Sequence, residues 1–219
     1  QLETIQGNIA HPQTFNFPVL YKRVAGAYYE TVVVRPSTSV LEAMIQAAQG
    51  LELAGVRAIA TACGFNAIFQ RELANAVSRP LFASSLLLVP MVQRMQQQDQ
   101  LVGIITADSQ HLTETHLRGV GISREIAICV ADIENTSEFA KVRADAAATL
   151  DVARFQQEVV DVATRLVQEN PSVGSIVLEC TDLPPFAAAI RRAVGLPVYD
   201  IVTLTNMVYE AVALDRWAS

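Results

Sequence analysis

Apolar and β-branched runs alternate along the chain with stretches whose apolar positions recur at helical spacing. The runs predict strands at YETVVV (29–34), VRAIATA (56–62), PLFAS (80–84), LVGIITA (101–107), EIAICVA (125–131), GSIVLE (174–179) and PVYDIV (197–202). The stretches between them predict helices at about 38–54, 66–78, 86–97, 112–119, 137–149, 151–169, 184–194 and 203–217. Alternation of this kind implies parallel sheets joined by right-handed crossovers, hence an α/β fold. The polar stretch QRMQQQDQ (93–100) reads either as a link between two halves or as the exposed end of a helix.

A repeat sharpens the division. Residues 53–92 set over 170–209 need no gap, and eight of the 40 columns are identical: Val56/Val173, Ile59/Ile176, Cys63/Cys180, Phe69/Phe186, Ala76/Ala193, Val77/Val194, Pro80/Pro197 and Leu87/Leu204. Shared strand-helix periodicity accounts for most of these. It does not account for two of only three cysteines falling in one column. The expectation is two pseudo-symmetric domains, each a short, mainly parallel sheet flanked by helices, with the active site in the cleft between them. The first domain spans 1–97 and is completed by the C-terminal helix 203–219; the second spans 100–202.

Both cysteines close a predicted strand, in ATACGF (60–65) and LECTDL (178–183). Open α/β sheets bind ligands beyond the carboxyl ends of their strands. After Cys63, Gly64 permits a tight turn and close backbone approach, and Asn66 is placed to cap the following helix. After Cys180, Thr181 and Asp182 are placed as caps, and Pro184 and Pro185 suit a first helical turn. Each thiol is therefore expected beside free N–H groups and the positive end of a helix, a setting that favours thiolate. Two opposed thiols suit proton removal from one face of a carbon and proton return to the other. Ser84, Ser85, Thr181 and the N–H groups of 64–66 and 181–182 are the donors expected to hold a substrate carboxylate. Asn8 and His11 lie in a loop placed to roof the cleft, and Asp108 and Ser109 end a strand as caps. Cys129, inside IAICVAD, reads as a core residue.

Composition narrows the classes. The chain has 219 residues, 51% of them apolar, enough for a sizeable core. Sixteen basic against 22 acidic residues give a net charge of −6 without a basic run, which argues against nucleic acid. No apolar stretch reaches the roughly 20 residues of a membrane span, and QLETIQGNIAHP has no pattern of an export signal. QLET reads like the tail of a strand whose start lies ahead of residue 1. Three cysteines cannot all pair within the chain, so the reducing cytoplasm is the expected compartment. His11, His111 and His116 lack zinc-site spacing. Pyridoxal phosphate needs a lysine at the site, and the only lysines, Lys22 and Lys141, lie away from the predicted strand ends. No dinucleotide fingerprint and no serine-hydrolase elbow is present. The expectation is a site with no cofactor and no metal.

The two cysteine motifs together resemble the aspartate/glutamate racemase superfamily, which includes aspartate, glutamate and hydantoin racemases. GNIAHPQTFNFPVLY (7–21) and VGIITADSQHLTETHLRGVGI (102–122) are similar to segments of the same group. The resemblance implies a cofactor-independent enzyme with its site at a domain interface, Cys63 and Cys180 as the two acid/base groups, and frequent dimers, here a homodimer. Amino-acid racemases of the group carry asparagine and threonine after the first cysteine, where this chain has Gly64 and Phe65. They carry histidine or glutamate after CT, where this chain has Asp182. Phe65 thus points to a less polar ligand. The function expected is racemisation or epimerisation of a small carboxylate or amide-bearing compound next to its carbonyl. The alternatives are a lyase or cis-trans isomerase using one cysteine on the same scaffold, and a non-catalytic small-acid binding protein.

Overall fold

The computed structural model describes residues 4–145 and 147–213. Helix α1 (Thr38–Leu53) leads to strand β1 (Ile59–Ala60), a 3-10 turn (Gly64–Phe69), α2 (Gln70–Asn75) and β2 (Leu81–Phe82). A second 3-10 turn (Ser85–Leu87) opens α3 (Leu88–Met95). Then come β3 (Leu101–Thr106), α4 (Glu114–Gly119), β4 (Ile128–Asp132), α5 (Ser137–Ala144), α6 (Val152–Glu169) and β5 (Val173–Leu178). A third 3-10 turn (Pro184–Phe186), α7 (Ala187–Val194), β6 (Val198–Tyr199) and α8 (Ile201–Val212) close the described chain. The strands form two parallel sheets, β1-β2 and β4-β3-β5-β6.

Strands β3 and β5 are buried on both faces, as near-continuous apolar runs require. Ile105, Ile176 and Leu178 pack with Phe155 and Val159 of α6, while Val102, Ile104 and Val177 pack with Leu88 and Val89 of α3. The pattern of α6 explains its position: Phe155, Val159, Val162, Ala163 and Leu166 form its buried stripe, and the Asp151 carboxylate caps its first turn through Arg154 N–H. Helix α7 ends at Gly195, whose φ of 69° is the left-handed stop glycine permits.

The repeat is preserved in the strand register. Ile59 pairs with Leu81 and Ala60 with Phe82; in the second sheet Ile176 pairs with Val198 and Val177 with Tyr199, the same alignment columns. Each cysteine therefore follows an equivalent strand.

Two sequence expectations fail. Residues 29–34 are not a strand: Glu30–Val34 form a single π-helical turn in which adjacent Val32 and Val33 are both buried, a pattern no two-sided strand presents to one core. The run 197–202 ends as strand at Tyr199, because the Asp200 side chain accepts from Thr203 N–H at 2.7 Å and starts α8 there. The tail of the expected 203–217 helix, residues 214–217, lies outside the described residues. Among the described residues no helix is long and apolar enough to cross a membrane.

Candidate active site

The ends of β1 and β5 meet at one cavity of about 1600 Å³, lined at this end by Cys63, Phe65, Asn66, Glu179, Cys180 and Asp182. Gly64 and Thr181 also line it. Thr61 fixes the first wall: its hydroxyl donates to Ala83 O at 2.7 Å, with Cys63 O the alternative acceptor at 3.2 Å, and accepts from Asn66 Nδ2 at 3.0 Å. Thr181 joins the walls, its hydroxyl donating to Ala62 O across the cleft at 3.0 Å. The thiols are free and near enough for Cys63 to bear on the ionisation of Cys180.

Not every residue expected here belongs to the cleft. Ser84 and Ser85 are fully buried outside it: Ser84 Oγ caps the turn at Leu86 N–H, and Ser85 Oγ donates to Leu178 O at 2.7 Å. Both oxygens are engaged by the backbone, Ser85 as donor and Ser84 as acceptor, and neither side chain lines the cavity. His11 does not line the cavity; its Nδ1 accepts from Gln13 N–H in the amino-terminal loop. Asn8 is buried behind the cleft and donates to Asp182 Oδ1 at 2.6 Å, so it positions that carboxylate. Asn66, Thr181 and Asp182 are not helix caps: Asn66 lies inside the 3-10 turn, and Leu183 precedes the next one with Pro184 in its first position. Gly64 has an ordinary φ, and what requires it is space, since a Cβ there would collide with the Glu179 carboxylate and main-chain oxygen.

The expected thiolates are corrected too. Burial, reinforced by Glu179 and then Asp182, pushes the Cys63 thiol up to about 12, against N–H donation from Phe65 and Asn66. Burial, Asp182 and Glu179 push Cys180 well above its ordinary value, and the N–H of Asp182 opposes them. Short 3-10 turns supply little dipole, and desolvation of a buried thiolate outweighs two or three amide donors.

Glu179 is the residue sequence reasoning passed over as the end of a strand. It is fully buried, with Oε2 accepting from Thr106 Oγ1 at 2.7 Å and Oε1 unpartnered, and burial raises its carboxyl to about 7. The legible signal was a charged residue closing an otherwise apolar buried strand, directly before Cys180. Above the site, Tyr29 donates to Asp108 Oδ2 at 2.7 Å, and Arg143 donates to the Tyr29 oxygen at 3.1 Å from over its ring. Both Tyr29 and Arg143 line the cavity. Asp108 binds His111 and Tyr29 rather than acting only as a cap.

Glu179 and the buried His116 behind Phe65 give opposing pH effects. The folded carboxyl of Glu179 titrates above its unfolded value of 4.5, so its contribution is full below 4.5 and lost as the pH rises through about 7. Burial lowers His116 to about 4, so its contribution is present above 6.5 and lost as the pH falls toward 4. Glu179→Gln removes the first effect: its stability relative to the parent should rise by about 3 kcal/mol between pH 5 and pH 8. Urea unfolding at the two pH values measures this, and equal differences at both would mean Glu179 is not a buried, unpaired charge.

Paired parallel sheets with matched thiols at the carboxyl ends of equivalent strands define an α/β enzyme scaffold of internally duplicated design. The chain belongs to the Asp/Glu/Hydantoin racemase family, whose pattern matches residues 20–206. Among solved structures, unliganded arylmalonate decarboxylase shares the fold at a TM-score of 0.54 and 17% identity, covering 80% of this chain and 76% of that one. An aspartate racemase homologue from Pyrococcus horikoshii OT3 does so at 0.57 and 17%, covering 86% and 81%. The curated relatives point elsewhere within the family. A dimethylsulfoniopropionate lyase from Durusdinium sp. clade D is 30% identical over 90% of this chain and 67% of its own length. Dimethylsulfoniopropionate lyase 3 from Emiliania huxleyi (strain CCMP1516) is 28% identical over 91% of this chain, which spans 54% of that enzyme. These relatives overturn the racemase expectation in favour of its lyase alternative.

Proposed function

We propose that this chain is a lyase that acts on a small carboxylate bearing a sulfonium group on its β carbon, of the dimethylsulfoniopropionate kind. The observation that carries the reading is the set of acidic and acceptor groups gathered on the cleft floor with no cation beside them among the described residues. Two thiols there share the space with Glu179, Asp182 and the unpartnered Asn66 Oδ1, and Glu179 has no ion pair among the described residues. Burial holds these groups toward their neutral forms in the free protein, and a cation entering among them draws the carboxyls toward ionisation, so such a floor favours a cation over an anion. Arg143 at the rim is the group we assign to the substrate carboxylate.

The same charge resolves the raised thiol. A sulfonium about 5 Å from Cys63, at an effective dielectric of about 20, favours the thiolate by roughly 3 kcal/mol, or about two pKa units. The substrate thus helps to make its own base. The Cys63 thiolate takes the proton next to the carboxylate. The C–H electron pair becomes the new C=C bond, the C–S bond breaks, and the sulfonium leaves as neutral sulfide while an unsaturated acid remains. Cys63 is the base of choice because two main-chain N–H groups face its sulfur and one faces Cys180.

Incubation with dimethylsulfoniopropionate tests this: headspace dimethyl sulfide and dissolved acrylate should appear in equal amounts. The corresponding neutral thioether acid should be inert. With the thiol raised, kcat/KM should increase with pH from neutrality upward. Deuterium entering the α carbon in heavy water without sulfide release would sink the proposal.

A further inference from the structure

The rim of the cleft is a chain of hydrogen bonds between elements far apart in sequence. Strand β3 ends at Thr106, whose hydroxyl is bonded to Glu179 at the end of β5, and Asp108 follows it, 1% exposed. Asp108 Oδ1 accepts from the N–H groups of Gln110 and His111 at 3.1 and 3.2 Å, and Oδ2 lies 2.7 Å from both Tyr29 Oη and His111 Nδ1. Burial alone would raise this carboxyl, yet the bonds from Tyr29 and His111 hold it below its ordinary value. The Tyr29 hydroxyl gives its only hydrogen to Asp108 and so faces Arg143 as an acceptor.

Arg143 is fixed through one nitrogen. Its Nη1 donates to Tyr29 Oη at 3.1 Å and to Glu134 Oε1 at 3.0 Å, and the guanidinium lies over the Tyr29 ring, 5.0 Å from its centroid. Those two bonds use both hydrogens of Nη1. The other three of the guanidinium are on Nε and Nη2, which form one flat edge, and neither nitrogen has an acceptor among the described residues. Arginine and carboxylate commonly pair through two parallel bonds. Glu134 takes only one here, because Tyr29 takes the other hydrogen of the same nitrogen, and the edge suited to such a pair is left free on a side chain that lines the cavity.

We infer that the Nε–Nη2 edge of Arg143 is a fork for one planar carboxylate and that Tyr29 is the positioning residue that aims it. The inference rests on the assignment of Arg143 to the substrate carboxylate and adds how that group is selected. An ionised carboxylate offers two acceptors to the fork, whereas the corresponding amide offers one acceptor and an NH2 group that meets the second donor with a donor. Asp108 and His111 act at one remove, by keeping the Tyr29 hydrogen turned away from the guanidinium. Glu134 supplies an acceptor and also a competing negative charge.

Propionate is the probe, because it carries the carboxylate without the sulfonium, and propionamide is its control. The Nε–H resonance of Arg143, assigned by its loss in Arg143→Lys, is followed by nuclear magnetic resonance during titration. Propionate should shift it saturably, and propionamide at the same concentrations should not. Tyr29→Phe keeps the ring under the guanidinium but loses the acceptor, and should weaken propionate binding at least tenfold. Glu134→Gln keeps an acceptor and removes the competing charge, so it should bind propionate at least as tightly as the parent. Arg143→Lys keeps the charge without the fork and, read by calorimetry, should also lose at least tenfold. No shift with propionate, an equal shift with propionamide, or parental affinity in Tyr29→Phe or Arg143→Lys overturns the inference. If Tyr29→Phe does not fold, Arg143→Lys decides alone, since that side chain is 40% exposed. Sulfide release separates the fork from the reaction. Propionate held at Arg143 by a protein that releases no sulfide from dimethylsulfoniopropionate would count against the lyase reading and for the fork, and sulfide release with an Arg143 indifferent to propionate would do the reverse.

Discussion

Cys63→Ser should lower sulfide release from dimethylsulfoniopropionate by about 10³-fold or more, with folding intact. A positioned general base contributes roughly 10²–10⁴-fold, and a serine hydroxyl ionises far above the range a nearby sulfonium can reach. The substitution removes a base and little else, because serine keeps the size of the side chain and the strand-end geometry set by Thr61. Cys180→Ser is the discriminating partner. Elimination returns no proton to carbon, so the second thiol has no obligatory step, and this variant should lose about tenfold at most. An enzyme that removed a proton with one thiol and replaced it with the other would lose both activities equally. Equal, near-total losses accompanied by deuterium at the α carbon would therefore sink the lyase mechanism.

The two thiols were legible in the sequence because they combined a repeat with a strand end, and the register of Ile59–Leu81 and Ile176–Val198 carries that repeat into three dimensions. Strands β3 and β5 and helix α6 were equally plain, since each has enough residues for its period to be unambiguous. Short apolar runs were not. TVVV fits a strand or a buried turn, and packing of Val32 and Val33 into one core decided for the turn. The site's electrostatics were the least visible. A sequence shows that a thiol precedes a helical turn, but not that Glu179 lies beneath it or that this carboxyl is fully buried. Ser84 and Ser85 misled for a related reason: a hydroxyl at a strand end is a ligand donor only if it reaches the cleft, and here both are fully buried outside it, Ser85 donating to Leu178 O and Ser84 accepting from Leu86 N–H.

Gly64→Ala should be the most damaging single-methyl change in the chain, abolishing turnover and destabilising the fold by about 3 kcal/mol or more, the upper end of overpacking costs. The added Cβ meets both the carboxylate and the main-chain oxygen of Glu179. The carboxylate has some freedom to rotate; the main chain has none, because Glu179 N–H is bonded to Ile105 O at 2.8 Å in the centre of the second sheet. The strand ends must then separate, and Cys63 moves away from Cys180 and Asp182. Gly50→Ala is the internal control: it lies in α1, where an added methyl would find nothing within 4 Å, so it should stabilise by roughly 0.5–1 kcal/mol through helix propensity. Combining Gly64→Ala with Glu179→Ala removes the carboxylate contact but not the main-chain one, so stability should recover only in part. Full recovery would place the obstruction in the side chain alone, and a harmless Gly64→Ala would mean that the two strand ends do not close on each other to form the floor of the cleft.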